Sequence, residues 1–309
     1  MKSKKIFIAG QEGMVGSALF KLLKKNNLKI IDCKRKDLDL TNQDKVEKWF
    51  RKHKPDIVIN AAGKVGGVLD NSLNPIDYIY NNMIISFNII NSSLKNGVTK
   101  FINLGSGSSY PKKTLIPIKE NYLLSSSLEP TNEAYSIAKI ASIKYCHYIK
   151  EKYKKEFISL QPANLYGVGD KFDLKKGHVI PSLLKKFHFA KIKKKNKVEI
   201  WGSGRSEREF LNVEDLASAI FFCMKNKVNH SIMNVGSSDC ISIYRLAELI
   251  KKIVNFKGRI FFNKKYPEGV RKKKLDTTLI NKLGWKPVIN LRDGLEKYYE
   301  YFCKINLSK

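Results

Sequence analysis

Long apolar runs and paired cysteines are both lacking in this chain of 309 residues. No apolar run approaches the roughly 18 residues that a membrane-spanning helix needs, so no membrane segment is expected. The five cysteines are odd in number, scattered and without a CxxC pair, which excludes the usual spacing of zinc sites and disulfide frameworks. Free thiols, and an N-terminus that runs straight into a strand without a signal peptide, predict a cytoplasmic protein with no bound metal.

Acidic residues are also scarce: 28 Asp and Glu stand against 58 Lys and Arg, giving a formal net charge of +30. Such a charge could indicate nucleic-acid binding. The lysines are spread along the whole chain, however, and runs such as Lys193, Lys194 and Lys195 have no interleaved aromatic side chains for base stacking. We therefore expect a solvated lysine-rich surface that attracts anionic nucleotides, without a specific nucleic-acid partner.

Short apolar segments alternate with amphipathic segments through the first half of the chain. Strands are predicted at residues 5–9, 28–32, 56–61, 101–104 and 157–161, and helices at 15–25 and 43–52. This alternation predicts an α/β protein with a doubly wound parallel sheet and right-handed crossovers. After residue 166 the pattern loosens, and residues 167–309 are predicted to form mainly a smaller α/β lobe that binds the substrate, with a helix over 243–254.

A glycine-rich turn joins the first predicted strand to the first predicted helix, with Gly10, Gly13 and Gly16 in the spacing GxxGxxG. Glycine is needed there for a tight turn, for close approach of backbone N–H groups to a pyrophosphate, and for close helix–strand packing. The triplet alone is weak evidence, but the flanking strand and helix supply the required context. Residues 1–166 are therefore predicted to form a Rossmann-type dinucleotide-binding domain.

The second predicted strand leaves the choice of dinucleotide open. Asp32 at its end could accept a hydrogen bond from a ribose 2′-hydroxyl, which favours NAD(H). Lys34, Arg35 and Lys36 follow, and could instead pair with the 2′-phosphate of NADP(H). These three residues could also be one more solvated basic run.

A YxxxK pair, Tyr135 and Lys139, places both side chains on one helix face about 30 residues after the serine-rich strand end at Ser106. A phenol has an ordinary pKa near about 10, and a neighbouring ammonium stabilises the phenolate and lowers that pKa. This order of motifs after a glycine turn predicts carbonyl reduction by NAD(P)H. Tyr135 would donate the proton, Ser106 would hydrogen-bond the carbonyl oxygen, and Lys139 would orient the ribose and tune Tyr135.

The motifs together resemble the GDP-L-fucose synthases, which are extended short-chain dehydrogenases/reductases with 3,5-epimerase and 4-reductase activity. The resemblance runs almost end to end. It is carried by IAGQEGMVGSAL near the start, AAGKVGG at 61–67, LEPTNEAYSIAKIA at 128–141, NLYG at 164–167, HVIPSLLKKFH at 178–188 and WGSG with REF at 201–210.

The resemblance implies a GDP-linked 4-keto-6-deoxy sugar as substrate, NADPH as reductant with NAD(H) also open, and a homodimer. The implied cofactor contacts are Gly10, Gly13, Met14, Val15, Gly16, Arg35, Asp39, Leu40, Ala61, Ala62, Lys139 and Asn164. The implied substrate contacts are Ser106, Ser108, Asn164, His178, Lys186, Trp201, Arg208 and Asp276. Among these, Trp201 offers a stacking surface, and the cations Lys186 and Arg208 can face a diphosphate.

Glu12 departs from the family pattern, because the related turns carry a basic residue at this position. A carboxylate there would repel a 2′-phosphate unless it points away. The assignment of NADP(H) therefore depends on Arg35 and its neighbours.

Ser108 is a second departure, since the related enzymes have a cysteine there that acts with a histidine in epimerisation at C3 and C5. The histidine is retained as His178. A thiol with a pKa near about 8.5 can be tuned into a base for proton abstraction, whereas a serine hydroxyl is far poorer without an activator. We therefore hypothesise a C4 ketoreductase of a hexose or heptose whose epimerase activity is lost or impaired.

Such an enzyme would act after a separate 3,5-epimerase, or on a sugar that needs no epimerisation. Two alternatives stay open at this point. One is a full bifunctional GDP-L-fucose synthase in which Ser108 or a water replaces the thiol. The other, more remote, is a non-catalytic nucleotide-sensing protein on the same fold.

Overall fold

The computed structural model of the chain describes residues 1–173, 177–265 and 270–307. Its strands are β1 Ile6–Ala9, β2 Ile30–Ile31, β3 Ile57–Asn60, β4 Lys100–Leu104, β5 Glu156–Pro162, β6 Asn164–Tyr166, β7 Lys197–Trp201, β8 Glu207–Asn212, β9 Ile232–Val235, β10 Cys240–Ser242, β11 Arg259–Asn263 and β12 Lys272–Lys273. Its helices are α1 Met14–Lys25, α2 Gln43–His53, α3 Val68–Leu73, α4 Pro75–Lys95, α5 Glu133–Tyr153, α6 Val179–Ile192, α7 Val213–Lys225, α8 Ile243–Val254, α9 Thr278–Lys282 and α10 Leu291–Leu307.

A parallel sheet in the order β2-β1-β3-β4-β5-β9 forms the centre of the molecule. Its strands are apolar at successive positions because both faces are covered. In β1, for example, Ile6 and Ile8 belong to the cluster with α1 and α7, whereas Phe7 and Ala9 belong to the cluster with α2, α4 and α5. The predicted doubly wound Rossmann-type sheet is confirmed, although β2 is shorter than the five residues predicted.

The second half of the chain contributes to both parts of the molecule. Helix α7 packs beside α1, and β9 adds the last strand to the central sheet. The remaining elements form the smaller lobe: β8 pairs with β6, β10 and β12, and β7 pairs with β11. Its core, with Leu184, Phe187 and Leu246, lies between α6, α8 and α10.

The cysteines, the possible metal ligands and the apolarity of the helices bear on the predicted absence of disulfides, metals and membrane segments. All five cysteines are free thiols. Within the described ranges, no group of His, Cys, Asp and Glu side chains is arranged to hold a metal ion. None of the helices in those ranges combines the length and apolarity needed to cross a bilayer.

Candidate active site

The glycine turn between β1 and α1 is shaped for a dinucleotide. Gly10 has a φ of +80°, and a Cβ there would lie 2.8 Å from the Ala61 oxygen and Ala62 Cα, while a Cβ on Gly16 would clash with the Gly10 carbonyl. Gly13 is the N-cap of α1; none of the described side chains caps it, and the first turn of α1 has no acidic residue. The first amides of α1 are therefore available to an anion, which fits the pyrophosphate of NAD(P)H.

The adenosine end of this turn is occupied by polar contacts between two loops. Gln11 Nε2 donates to Asp32 Oδ1 at 2.7 Å, and the Arg35 backbone N–H donates to Glu12 Oε2 at 2.8 Å. Glu12 therefore does not point away from the segment that would meet a 2′-phosphate. The Asp39 carboxylate accepts from the Thr41 amide at 3.0 Å, and the side chain of Arg35 remains exposed.

The two members of the YxxxK pair lie together at the carboxyl end of the sheet. Lys139 Nζ is 5.7 Å from the centroid of the Tyr135 ring and donates to the Leu104 carbonyl at 2.9 Å. Burial lowers the pKa of Lys139 to about 8. Burial also raises the pKa of Tyr135 to about 12, and a hydrogen bond with Ser106 opposes that rise. Tyr135 is thus a protonated acid at neutral pH, beside an ammonium that can stabilise its phenolate.

The low pKa of Lys139 sets an expected pH dependence. We expect kcat/KM for ketone reduction to fall as pH rises through about 8, because the neutral amine no longer stabilises the Tyr135 phenolate. The measurement is initial rate against pH from 6 to 10. Replacing Lys144, further along the same helix, with methionine should leave the profile unchanged. A profile that stays flat above pH 8 would contradict this role of Lys139.

Ser106 is held in place just after β4 by a residue that was not predicted from the sequence. Its backbone N–H donates to Gln161 Oε1 at 2.8 Å, and Gln161 is fully buried at the end of β5. Gly105 leaves room for this amide, because a Cβ there would clash with it. The signal in the sequence was a polar residue ending the apolar strand before Pro162.

Ser108 contacts Ser106, the serine that is predicted to be catalytic. The two hydroxyl oxygens of Ser106 and Ser108 are 2.8 Å apart, and the Ser108 amide lies 3.2 Å from Ser106 Oγ. His178 lies before the first residue of α6, and its Nδ1 is 3.6 Å from Asp170 Oδ2, beyond hydrogen-bond distance. The described hydrogen bonds give Ser108 no basic partner that could activate it.

Tyr78 packs against Tyr135, the predicted proton donor, and was not predicted from the sequence. Its ring packs edge-on against Tyr135 at a centroid distance of 6.2 Å, and its hydroxyl donates to Asp70 Oδ2 at 2.7 Å. Asn74 donates to the other oxygen of Asp70 at 2.9 Å. The spacing of Asp70, Asn74 and Tyr78 by four residues is the sequence signal for this cluster.

Lys186 and Trp201, predicted to contact substrate, are brought together in the smaller lobe. Lys186 Nζ is 5.0 Å from the centroid of the Trp201 ring and donates to the Glu199 carbonyl at 3.1 Å. Burial lowers the pKa of Lys186, and the negative charge of Glu199 partly opposes this shift. Trp201 is 40% exposed and therefore keeps ring surface for a ligand.

Arg208 lies beside a further cation, Lys273, which was not predicted from the sequence. The two residues pair in register between β8 and β12. Burial lowers the pKa of Lys273 to about 8, the charge of Arg208 adds to this, and Glu129 opposes it. Two adjacent cations that are partly withdrawn from water have the chemistry to bind a multiply charged anion. The basic run at 271–274 was the signal.

The remaining predicted contacts have local partners. The amide of Asn164 donates to the Glu209 carbonyl at 2.9 Å. Asp276 Oδ1 accepts from the Thr278 amide at 2.9 Å, and hydrogen bonding with Thr278 lowers the pKa of the Asp276 carboxyl. Leu40, whose carbonyl accepts from Asn88 at 3.0 Å, is held against α4.

The sequence and the fold are similar to those of known proteins. Residues 6–236 match the NAD dependent epimerase/dehydratase family. The chain belongs to this family. It is 45% identical over 302 residues to the GDP-L-fucose synthase of Sinorhizobium fredii, an alignment that covers 98% of this chain and 96% of that protein. The predicted resemblance to GDP-L-fucose synthase-like extended short-chain dehydrogenases/reductases is confirmed.

Two solved structures from Campylobacter jejuni are similar over nearly the whole length of this epimerase/dehydratase family member. One is a GDP-6-OMe-4-keto-L-xylo-heptose reductase, with a TM-score of 0.94, 34% identity and coverage of 99% of both chains. The other is a GDP-mannoheptose C4 reductase with NADP bound, with a TM-score of 0.89, 35% identity and coverage of 98% of this chain and 99% of that one.

Proposed function

We propose that this protein is an NADPH-dependent C4 ketoreductase of a GDP-linked 4-keto sugar, a hexose or a heptose. The observation that carries the proposal is the placement of Tyr135, Lys139 and Ser106 together at the carboxyl end of the sheet. The glycine turn of a dinucleotide site opens at the same end, after β1. Relatives named for GDP-fucose synthesis and GDP-heptose C4 reduction support the substrate class.

The chain's own residues provide acid catalysis for this reduction. NADPH, when bound along the glycine turn, supplies the hydride that the C4 carbon receives. Tyr135 gives its phenolic proton to the C4 oxygen, and Ser106 donates a hydrogen bond to that oxygen. The ammonium of Lys139 stabilises the phenolate until solvent returns the proton. The ketone is reduced to an alcohol, NADPH is oxidised to NADP⁺, and one proton is consumed.

The proposal is tested by following NADPH absorbance when a GDP-linked 4-keto sugar is added. We expect absorbance to fall stoichiometrically with sugar, while a GDP sugar without the ketone has no effect. Binding of both ligands without any NADPH oxidation would contradict the proposal and favour a nucleotide-sensing protein instead.

The GDP moiety is proposed to bind in the smaller lobe. Trp201 presents a ring to stack on an apolar or aromatic ligand surface, and Lys186 lies over that ring. Arg208 and Lys273 supply two adjacent cations for the diphosphate. We also retain Asn164 and Asp276 as proposed contacts at the border of this site.

Lys273 gives this proposal a matched pair of variants. We expect Lys273→Met to raise KM for the GDP sugar by about 10- to 100-fold, because a charge-assisted hydrogen bond to phosphate is lost. The Kd of NADPH should not change. Lys272→Met is the control, since its ammonium is exposed and pairs with Glu207 at 2.7 Å. Equal KM values for the two variants would contradict a role of Lys273 in substrate binding.

We further propose that the 3,5-epimerase activity is lost or impaired, and that a separate 3,5-epimerase supplies the substrate where one is needed. The support is the contact of Ser108 with Ser106, together with the lack of a described basic group bonded to Ser108. The alternative, a full GDP-L-fucose synthase, predicts proton exchange at C3 and C5 by the protein alone.

A homodimer is proposed to form through α4 and α5. These helices lie side by side, with the Phe87 and Tyr145 rings 5.3 Å apart. They carry exposed apolar side chains, among them Ile76 at 78% and Tyr148 at 62% exposure. Exposed apolar area on adjacent helices favours association. A monomer mass in sedimentation at micromolar concentration would contradict this proposal.

We propose the cytoplasm as the location, because five free thiols persist in a reducing compartment. No nucleic-acid partner is proposed. Recovery of the protein in an extracytoplasmic fraction would contradict the proposed location. Sequence-specific DNA binding would contradict the expectation of no nucleic-acid partner.

A further inference from the structure

The loop after β2 faces the glycine turn across two hydrogen bonds. In proteins with this turn, the adenosine ribose binds beside the end of the second strand. Gln11 holds the carboxylate of Asp32 there, with Nε2 and Oδ1 2.7 Å apart. Glu12 Oε2 accepts from the backbone amide of Arg35 at 2.8 Å. The Glu12 carboxylate is thereby fixed beside the residue whose guanidinium would have to bind a 2′-phosphate.

The local charge of this region differs from that of the whole chain. The net charge of the chain is +30, yet Glu12 and residues 32–39 together contain four carboxylates and three cations. The carboxylates are Glu12, Asp32, Asp37 and Asp39, and the cations are Lys34, Arg35 and Lys36. The charge of Arg35 contributes to the lowered pKa of Asp39, although the hydrogen bonds of Asp39 with Thr41 are the larger cause.

A phosphomonoester and a hydroxyl experience this region differently. A 2′-phosphate carries a charge of about −2 at neutral pH and would be repelled by the Glu12 carboxylate. A 2′-hydroxyl has no charge and can donate a hydrogen bond to a carboxylate oxygen. The Arg35 guanidinium attracts the phosphate, but the negative charges of Glu12 and Asp39 weaken that attraction.

We propose that Glu12 is a specificity-determining residue that makes this site accept NADH as well as NADPH. The proposal rests on the proposed reductase function. It adds that the site discriminates only weakly between a 2′-phosphate and a 2′-hydroxyl. NADPH remains a substrate because Arg35 and its neighbours compensate for part of the repulsion.

The test measures binding of NADP⁺ and NAD⁺ to the full chain by isothermal titration calorimetry, which does not depend on turnover. We expect the two Kd values of the wild type to lie within about tenfold of each other. Glu12→Gln keeps an oxygen for the Arg35 amide but removes the charge. This variant should tighten NADP⁺ by about five- to tenfold, the effect of one nearby like charge, and leave NAD⁺ unchanged. Glu12→Arg should tighten NADP⁺ further.

Glu151→Gln, which removes an exposed carboxylate from the far end of α5, is the matched control and should change neither Kd. A wild-type preference for NADP⁺ above about 100-fold would overturn the inference while leaving the reductase function intact. An equal change in both Kd values for Glu12→Gln would also overturn it, because it would indicate a structural effect. Binding of neither dinucleotide would contradict the reductase function itself.

Discussion

Replacing Tyr135 with phenylalanine is expected to lower kcat for ketone reduction by at least about 1,000-fold, because the proton donor is removed from the reacting oxygen. The ring itself remains, so its edge-on contact with Tyr78 at 6.2 Å is preserved. The glycine turn does not involve the phenol. The Kd of NADPH should therefore stay within about twofold of the wild-type value.

The matched control for this experiment is Tyr145→Phe, ten residues further along α5. That hydroxyl is 3.5 Å from Asn91 Oδ1 and has no place in the active site. The Tyr145→Phe variant should therefore reduce the ketone at the wild-type rate. Turnover above about 1% of wild type in Tyr135→Phe would mean that another group, or water, protonates the alkoxide.

Local spacing made the Tyr135–Lys139 pair and the glycine turn predictable from the sequence. Tyr135 and Lys139 are one helical turn apart, so any helix through them places both side chains on one face. Gly16 is required by its contact with the Gly10 carbonyl inside a single strand–turn–helix unit, and Gly10 has a positive φ in the same turn, although its close contact is with Ala61 and Ala62 after β3. The central sheet was predictable for the same reason, since each strand is a short apolar run and these runs alternate with amphipathic helices.

Contacts set by strand register and loop approach were not predictable in this way. Lys273 reaches Arg208 only because β12 pairs with β8, and these two strands are 60 residues apart along the chain. Gln161 binds the Ser106 amide because β4 and β5 are neighbours in the sheet. Lys273 and Gln161 can be read from the sequence, but the strand pairing that brings them to Arg208 and Ser106 cannot.

Glu12 shows how the structure refined one of the sequence-based questions. The sequence leaves open whether its carboxylate points away from the second strand. The hydrogen bond with the Arg35 amide shows that it does not. The choice between dinucleotides is therefore a balance of charges in one small region, and the net charge of the chain does not determine it.

The wild-type enzyme is expected to incorporate no deuterium at C3 or C5 when it reduces a 4-keto GDP sugar in D₂O. The hydroxyl of Ser108 is 2.8 Å from that of Ser106, and the described contacts bring no base to it. A serine hydroxyl without an activating base does not abstract a proton from carbon at a useful rate. Reduction needs no such base, because Tyr135 and Lys139 act on the oxygen at C4. Mass spectrometry of the product measures exchange and reduction together.

Ser108→Cys tests the same hypothesis from the opposite direction. A thiol can be tuned to a pKa near neutrality, so this variant is expected to introduce deuterium exchange at C3 or C5 that the wild type lacks. Ser125→Cys, on an exposed loop, is the control for an added thiol elsewhere and should show no exchange. If the wild type already exchanges and Ser108→Cys barely changes the rate, then Ser108 or a water serves as the base. The protein would then be a full epimerase and reductase, with His178 as the second proton-transfer group.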